Sequence, residues 1–287
     1  MAAAVTTMIT AVVLGEASAA ALAASAAAAA AAVEPEAIFK NKTGKLMTKI
    51  PDQPQDIFVP LTQDYLKVFG NELISLIIYG SAAGGYYIRG KSDINLLVVL
   101  TPAGLDKFTD VLETVQSWRK RSVAIPLIMS KNFVESSLDS YPIEFLGMKN
   151  SHILIYGEDI LAELTVKPAD LRLQIERELR SKLLLLREGY LEAEGKPRRL
   201  RSLISRSLTA FLAIFNALLY YKTGKMQQGR REIIKEMRKT FTMDASVFLF
   251  CADIKEGKDK FSGAEVTDIF RKYLQEINDI CKMADQL

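Results

Sequence analysis

Along LTQDYLKVF the apolar residues Leu61, Tyr65, Leu66 and Phe69 recur at helical intervals, which predicts a short helix. The period then changes. LISLIIYG, Leu73 to Gly80, is a continuous aliphatic run of strand length that ends in glycine, as expected of a strand buried on both faces. INLLVVL, Ile94 to Leu100, repeats the pattern and predicts a second strand. From Gly104 to Lys120 the residues Leu105, Phe108, Val111, Leu112 and Val115 trace one helical stripe. SVAIPLIMS, Ser122 to Ser130, predicts a third strand, and its Pro126 places that part on a sheet edge or at a bulge. HILIYGED, His152 to Asp159, predicts a fourth apolar piece that closes this half of the chain.

From Pro168 onward the apolar period is 3.6 throughout, which predicts helices at 168–194, 198–222, 229–241, 244–255 and 262–285. Ser262 and Glu265 spell a capping box, Asp244 is an N-cap, and Gly195, Gly224 and Gly257 stand where helices end. Residues 47–165 therefore read as an α/β domain and residues 166–287 as a helical bundle. FLAIFNALLYY, Phe211 to Tyr221, is too short an apolar run for a membrane span and reads as bundle core.

Residues 1–46 follow neither period. They are an alanine-rich, low-complexity tail with no basic residue ahead of the apolar run, so a secretory signal is not expected, and Glu16 interrupts it as a membrane span. Met47 opens ordinary composition and is the expected start of the functional protein. The 37 Lys and Arg against 34 Asp and Glu leave a net charge of +3, too balanced to argue for a nucleic-acid partner. Cys251 and Cys281 lack metal or redox spacing and suit buried thiols in a cytoplasmic protein. His152 is the single imidazole, which excludes zincin motifs; within HILIY it reads as a satisfied core or edge histidine rather than a catalytic one.

One stretch carries candidate chemistry. In GGYYIRGKSDINLLVVL, Gly85, Gly90, Lys91 and Ser92 spell a phosphate-binding loop. Such a loop must open a helix, and here a strand pattern follows, so the spelling does not make a P-loop. The order of elements points elsewhere: strand, Gly80-Ser81, a small-residue segment, then Asp93 at the next strand. This order, over LIIYGSAAGGYYIRGKSDINLLVV and again in YPIEFLGMKNSHILIYGEDIL, resembles the nucleotidyltransferase superfamily, the polymerase-β-like fold, with its hG-[GS] turn and D-x-D motif.

The resemblance implies an α+β fold in which a nucleotidyltransferase-type mixed sheet with flanking helices is followed by an all-α helical bundle. It implies that Gly80 and Ser81 contact the phosphates of an NTP, with Lys91 and Ser92 as further candidate contacts. It also implies that the first Asp of D-x-D, Asp93 here, takes part in Mg²⁺ binding and catalysis. The chain departs from the pattern twice: Asn95 replaces the second acid, and SVAIPLIMS offers no carboxylate where a third is expected, with Pro126 in its place. One Mg²⁺ ion held by Asp93, Asn95 and phosphates is therefore expected rather than two. Glu144 is the nearest replacement acid, and Glu178 or Glu188 on the first long helix are further candidates. Against each stands the plainer reading of a structural or solvated carboxylate.

Two functions follow. One is transfer of a nucleotide monophosphate to a hydroxyl of a small molecule or protein held at the helical domain. The other is a catalytically degenerate relative that binds nucleotide or a protein partner. The basic KPRRLRSLISR, Lys196 to Arg206, reads as a solvated helix start or a phosphate contact. It lacks interleaved aromatics, so nucleic acid is not favoured; no membrane partner is expected, and a homodimer is compatible with the chain.

Overall fold

In the computed structural model, which describes residues 50–287, the two continuous aliphatic runs lie side by side at the centre of a four-stranded sheet. They form β1 (Leu73–Tyr79) and β2 (Asn95–Leu100), with all but one of their residues buried, as unbroken apolar runs require. The strand order is β3-β2-β1-β4, with β3 at Leu127–Ser130 and β4 at His152–Gly157. The pairs β1/β2 and β1/β4 are antiparallel and β2/β3 is parallel, so the sheet is mixed. The alanine-rich segment and Met47 lie outside the described residues.

The chain divides into two compact units. The sheet unit runs to Ser137 and resumes at Gly147–Thr165; the helical unit comprises Leu138–Leu146 and Val166–Leu287. In the sheet unit α1 (Phe58–Phe69) turns Leu61, Tyr65 and Phe69 into a core shared with Leu76, Ile78, Leu96 and Val98. Alternation along a strand then sends Ile77, Tyr79, Asn95 and Leu97 to the other face, where they are also buried.

The stripe expected over 104–120 is broken. It comprises α2 (Pro102–Asp106), a 3₁₀ turn at Phe108–Val111 and α3 (Leu112–Arg119). The break at Lys107 rotates the second half, leaving Phe108 and Leu112 exposed while Val111 and Trp118 face the core. Trp118 donates its indole N–H to Asp64 at 3.2 Å, and the Arg121 guanidinium lies 4.5 Å over its ring.

The third strand is shorter than expected. An isolated bridge pairs Ile94 with Val123, and regular pairing resumes at Leu97 with Leu127, so the segment containing Pro126 holds one residue more than the part of β2 that faces it, Asn95-Leu96. Proline cannot donate to the ladder, and Pro126 stands just ahead of the edge strand β3, at the irregularity. Two short helices, α4 (Lys131–Ser136) and α5 (Pro142–Asn150), precede β4.

In the helical unit α6 (Pro168–Ala193), α7 (Pro197–Thr223), α8 (Arg230–Thr240), α9 (Ala245–Glu256) and α10 (Gly263–Ala284) follow the 3.6 period. α7 packs against the other four. It is long and apolar enough to span a membrane by composition, but Phe211, Phe215 and Leu218 are fully buried against neighbouring helices, as bundle core. Phe211, Phe215, Phe248 and Tyr273 meet edge to face at 5.2 to 5.9 Å, a preferred aromatic geometry.

Candidate functional site

The site begins where β1 runs out of partners. Tyr79 pairs with Asn95 on one side and His152 on the other, and the chain then leaves the sheet through Gly80. Gly80 has φ +74°, a left-handed conformation that costs a side-chain-bearing residue roughly 1–2 kcal/mol. It opens a 3₁₀ turn, Gly80–Ala82, whose carbonyl at Gly80 accepts from Ala83 and Gly84.

Ser151 fixes this turn from the far end of the domain's sequence. Gly80 N–H donates to the Ser151 carbonyl at 3.0 Å, and the Ser151 hydroxyl donates back to the Gly80 carbonyl at 3.2 Å. With the Gly80 N–H so used, the N–H groups of Ser81 and Ala82 are those that the turn itself leaves without an acceptor. Ser151 carries no sequence signal beyond preceding the apolar run of β4.

Antiparallel register brings Asp93 to this end of the sheet. With Tyr79 opposite Asn95 as the last pair of the ladder, Gly80 follows and Asp93 precedes that same end of the sheet, one and two residues from it. Asp93 itself lies outside β2, which begins at Asn95, and it is exposed while Asn95 is buried. The expectation that Asp93 begins the strand is thus corrected. β1 has no residue left to pair with it, and the following Ile94 bonds to the third-strand side, through Ser122 and Ala124.

The segment that pairs with the β2 end on the third-strand side carries no negative charge. On the third-strand side Ile94 faces Val123, and the residues onward to Pro126 include no carboxylate. Among the described residues no group of three or more His, Cys, Asp or Glu side chains could hold a metal ion. Asp93 with the neutral amide of Asn95 is a donor set that would need ligand phosphates to complete a metal site. The Tyr79 hydroxyl, on the face that carries Asn95, is buried with no hydrogen-bond partner among the described residues, and burial pushes the phenol above its usual range.

The loop spelled like a phosphate loop closes on itself. The Ile88 carbonyl accepts from Lys91 and Ser92, and the Ile88 N–H donates to the Ser92 hydroxyl at 3.0 Å. Ser92 thus serves the turn, and Lys91 is exposed beside it. Tyr86 N–H donates to the Ser81 carbonyl, Tyr87 OH to the Pro51 carbonyl, and Arg89 faces Asp52 at 3.0 Å, so the loop is tied at three points. β2, not a helix, follows it.

The remaining candidates sit differently. Glu144 belongs to the helical unit, where its carboxylate accepts from the Gln174 side-chain amide at 2.7 Å, and Gln174 in turn accepts from the Ile143 N–H at 2.8 Å. Burial pushes the Glu144 carboxyl up, opposed by the Gln174 hydrogen bond. Glu178 is buried and held by Lys182 at 2.8 Å, whereas Glu188 is exposed. In the basic stretch, Lys196 and Arg199 bond to Glu194, and Arg201 to Asp259, so part of its charge is neutralised within the chain. His152 is satisfied at the head of an edge strand, with one ring nitrogen 3.0 Å from the Lys149 carbonyl and the other 3.1 Å from the Asp159 carboxylate.

A spectinomycin adenyltransferase from Enterococcus faecialis, solved with ATP and spectinomycin, is similar in structure, with a TM-score of 0.47 at 14% identity over 77% of this chain and 98% of that chain. No protein-family model and no curated protein matches the chain.

Proposed function

We propose that this is a nucleotidyltransferase-like protein that binds a nucleoside triphosphate at the Gly80-Ser81 turn without the two-ion chemistry of nucleotidyl transfer. The observation that supports the reading is that the Gly80-Ser81 turn leaves β1, and Asp93 leads into β2, at the same Tyr79–Asn95 end of the ladder, while the third-strand segment from Val123 to Pro126 has no carboxylate. Backbone N–H groups at Ser81 and Ala82 supply donors suited to phosphate oxygens, and the absence of a Cβ at Gly80 allows close approach. Asp93, joined by the Asn95 amide, can share one Mg²⁺ with those phosphates, the ion offsetting repulsion between carboxylate and triphosphate. Loss of one preorganised electrostatic group commonly costs on the order of 10²–10³ in rate, and this site differs from its family's pattern at two acids.

Calorimetric titration with ATP, GTP, CTP and UTP in Mg²⁺ tests the reading. Wild type is expected to bind at least one, and Asp93→Ala and Gly80→Ala each to weaken it about tenfold or more, or 1.4 kcal/mol. No binding of any of the four overturns the proposal. Asp93-dependent transfer of α-label from an NTP to an acceptor would replace it with the enzyme reading, in which a small molecule or protein is modified.

A further inference from the structure

The turn after α3 holds a strained side chain next to Asp93. The carbonyls of Trp118 and Arg119 end the helix by accepting from the N–H groups of Val123 and Ser122, each at 3.2 Å, the pair of bonds that closes a helix around one left-handed residue. That residue is usually glycine, as at Gly224 and Gly257 in this chain. Here it is Ser122, at φ +62°, a conformation that a Cβ disfavours. Among the described residues only Glu194 shares this conformation without being glycine, and its carboxylate is bonded to Lys196 and Arg199. The Ser122 hydroxyl is half-buried and makes no hydrogen bond among the described residues. A side chain that strains the backbone and bonds to nothing in the fold marks a functional position rather than a packing one.

Its place in the sheet supplies the function. The Ser122 carbonyl accepts from the Ile94 N–H at 2.8 Å, and that nitrogen belongs to the peptide bond that follows Asp93. Ile94 and Val123 pair in parallel, so Asp93 and Ser122 are the residues that precede the two partners of one bridge. Arg119 and Lys120, in the same turn, are exposed and make no ion pair among the described residues, so beside the single carboxylate of Asp93 they favour an anionic group. β2 separates β1 from the third strand, which puts the two outer strands roughly 10 Å apart. A triphosphate hydrogen-bonded at both ends can bridge such a gap.

We propose that Ser122 is a phosphate contact of the candidate site, its hydroxyl donating to a phosphate oxygen of the nucleotide held by Asp93 and the Gly80-Ser81 turn. The proposal rests on the nucleotide-binding reading and adds to it a neutral donor from the third-strand side.

Calorimetric titration with ATP in Mg²⁺, paired with thermal melts followed by Trp118 fluorescence, tests it. Ser122→Gly relieves the backbone and removes the hydroxyl, so it is expected to melt at or above the wild-type temperature and to bind ATP about tenfold more weakly. Ser122→Ala, which removes the hydroxyl without relieving the backbone, is expected to weaken binding by the same factor. Wild-type affinity in Ser122→Gly, with binding still lost in Asp93→Ala, overturns this proposal and leaves the nucleotide reading standing. Wild-type affinity in Ser122→Ala alone assigns the loss in Ser122→Gly to the backbone and overturns the hydroxyl contact. A Ser122→Gly variant that melts below wild type shows that the side chain serves the fold, and also overturns it. A wild type that binds no ATP while binding another of the four nucleotides moves the same comparison to that nucleotide; one that binds none overturns both readings.

Discussion

Glu144 is a buried acid whose hydrogen-bond partner, Gln174, belongs to the helical unit. Burial raises its carboxyl, and the Gln174 amide at 2.7 Å opposes that shift without cancelling it. The fold therefore favours the protonated acid. The charged form costs stability, and this cost appears as pH rises above the unfolded value of about 4.3 and is complete once pH exceeds the raised folded value. Glu144→Gln keeps the shape and leaves an acceptor for Gln174. It is expected to melt at or above the wild-type temperature at pH 8 and to match wild type near pH 4. A lower melting temperature for the variant at pH 8 would mean that the ionised carboxylate is needed. Single residues were legible in the sequence where local backbone geometry decides them, as at Gly80. Ser151 was not, because its role depends on pairing with a residue 71 positions away.

At the scale of elements, the same distinction separates the bundle from the sheet. The last helix begins where Ser262 and Glu265 reciprocally cap it, and α9 begins where Asp244 accepts from the Ser246 N–H, so these boundaries are local chemistry. The sheet's irregularities are long-range. Asp93 falls off β2 because β1 ends at Tyr79, and the 104–120 stripe breaks at Lys107, which no apolar period records.

The short, polar helix α8 depends on ions as well as on Ile233, Ile234 and Met237. Arg231 faces Asp253 at 2.5 Å and Glu256 at 2.9 Å; Arg230 and Lys258 also face Glu256. Burial pushes the Glu256 carboxyl up, but Arg231 and Lys258 outweigh it and hold it down at about 2. A depressed carboxyl contributes stability that is present above the unfolded value of about 4.3 and is lost as pH falls toward the folded value. Glu256→Gln is therefore expected to lower the melting temperature at pH 7, with the gap from wild type closing by about pH 2. A gap independent of pH would show that the carboxylate's charge is not what matters.

At the scale of the whole molecule, two units with separate apolar clusters make independent melting the natural expectation. The chain carries its own reporters. Its single tryptophan, Trp118, is buried in the sheet unit, so fluorescence follows that core, whereas helices α6 to α10 dominate the far-ultraviolet dichroism of the other. Thermal melts by the two signals are expected not to coincide. Leu76→Ala, which empties part of the sheet core at a cost of about 2–5 kcal/mol, should move the fluorescence transition and leave the dichroism transition in place. Glu256→Gln at pH 7 should do the reverse. Coincident transitions that both variants shift together would mean that the two cores unfold as one cooperative body. Residues 138–146 then become the place to look, because the chain there leaves the sheet unit for the helical one and returns.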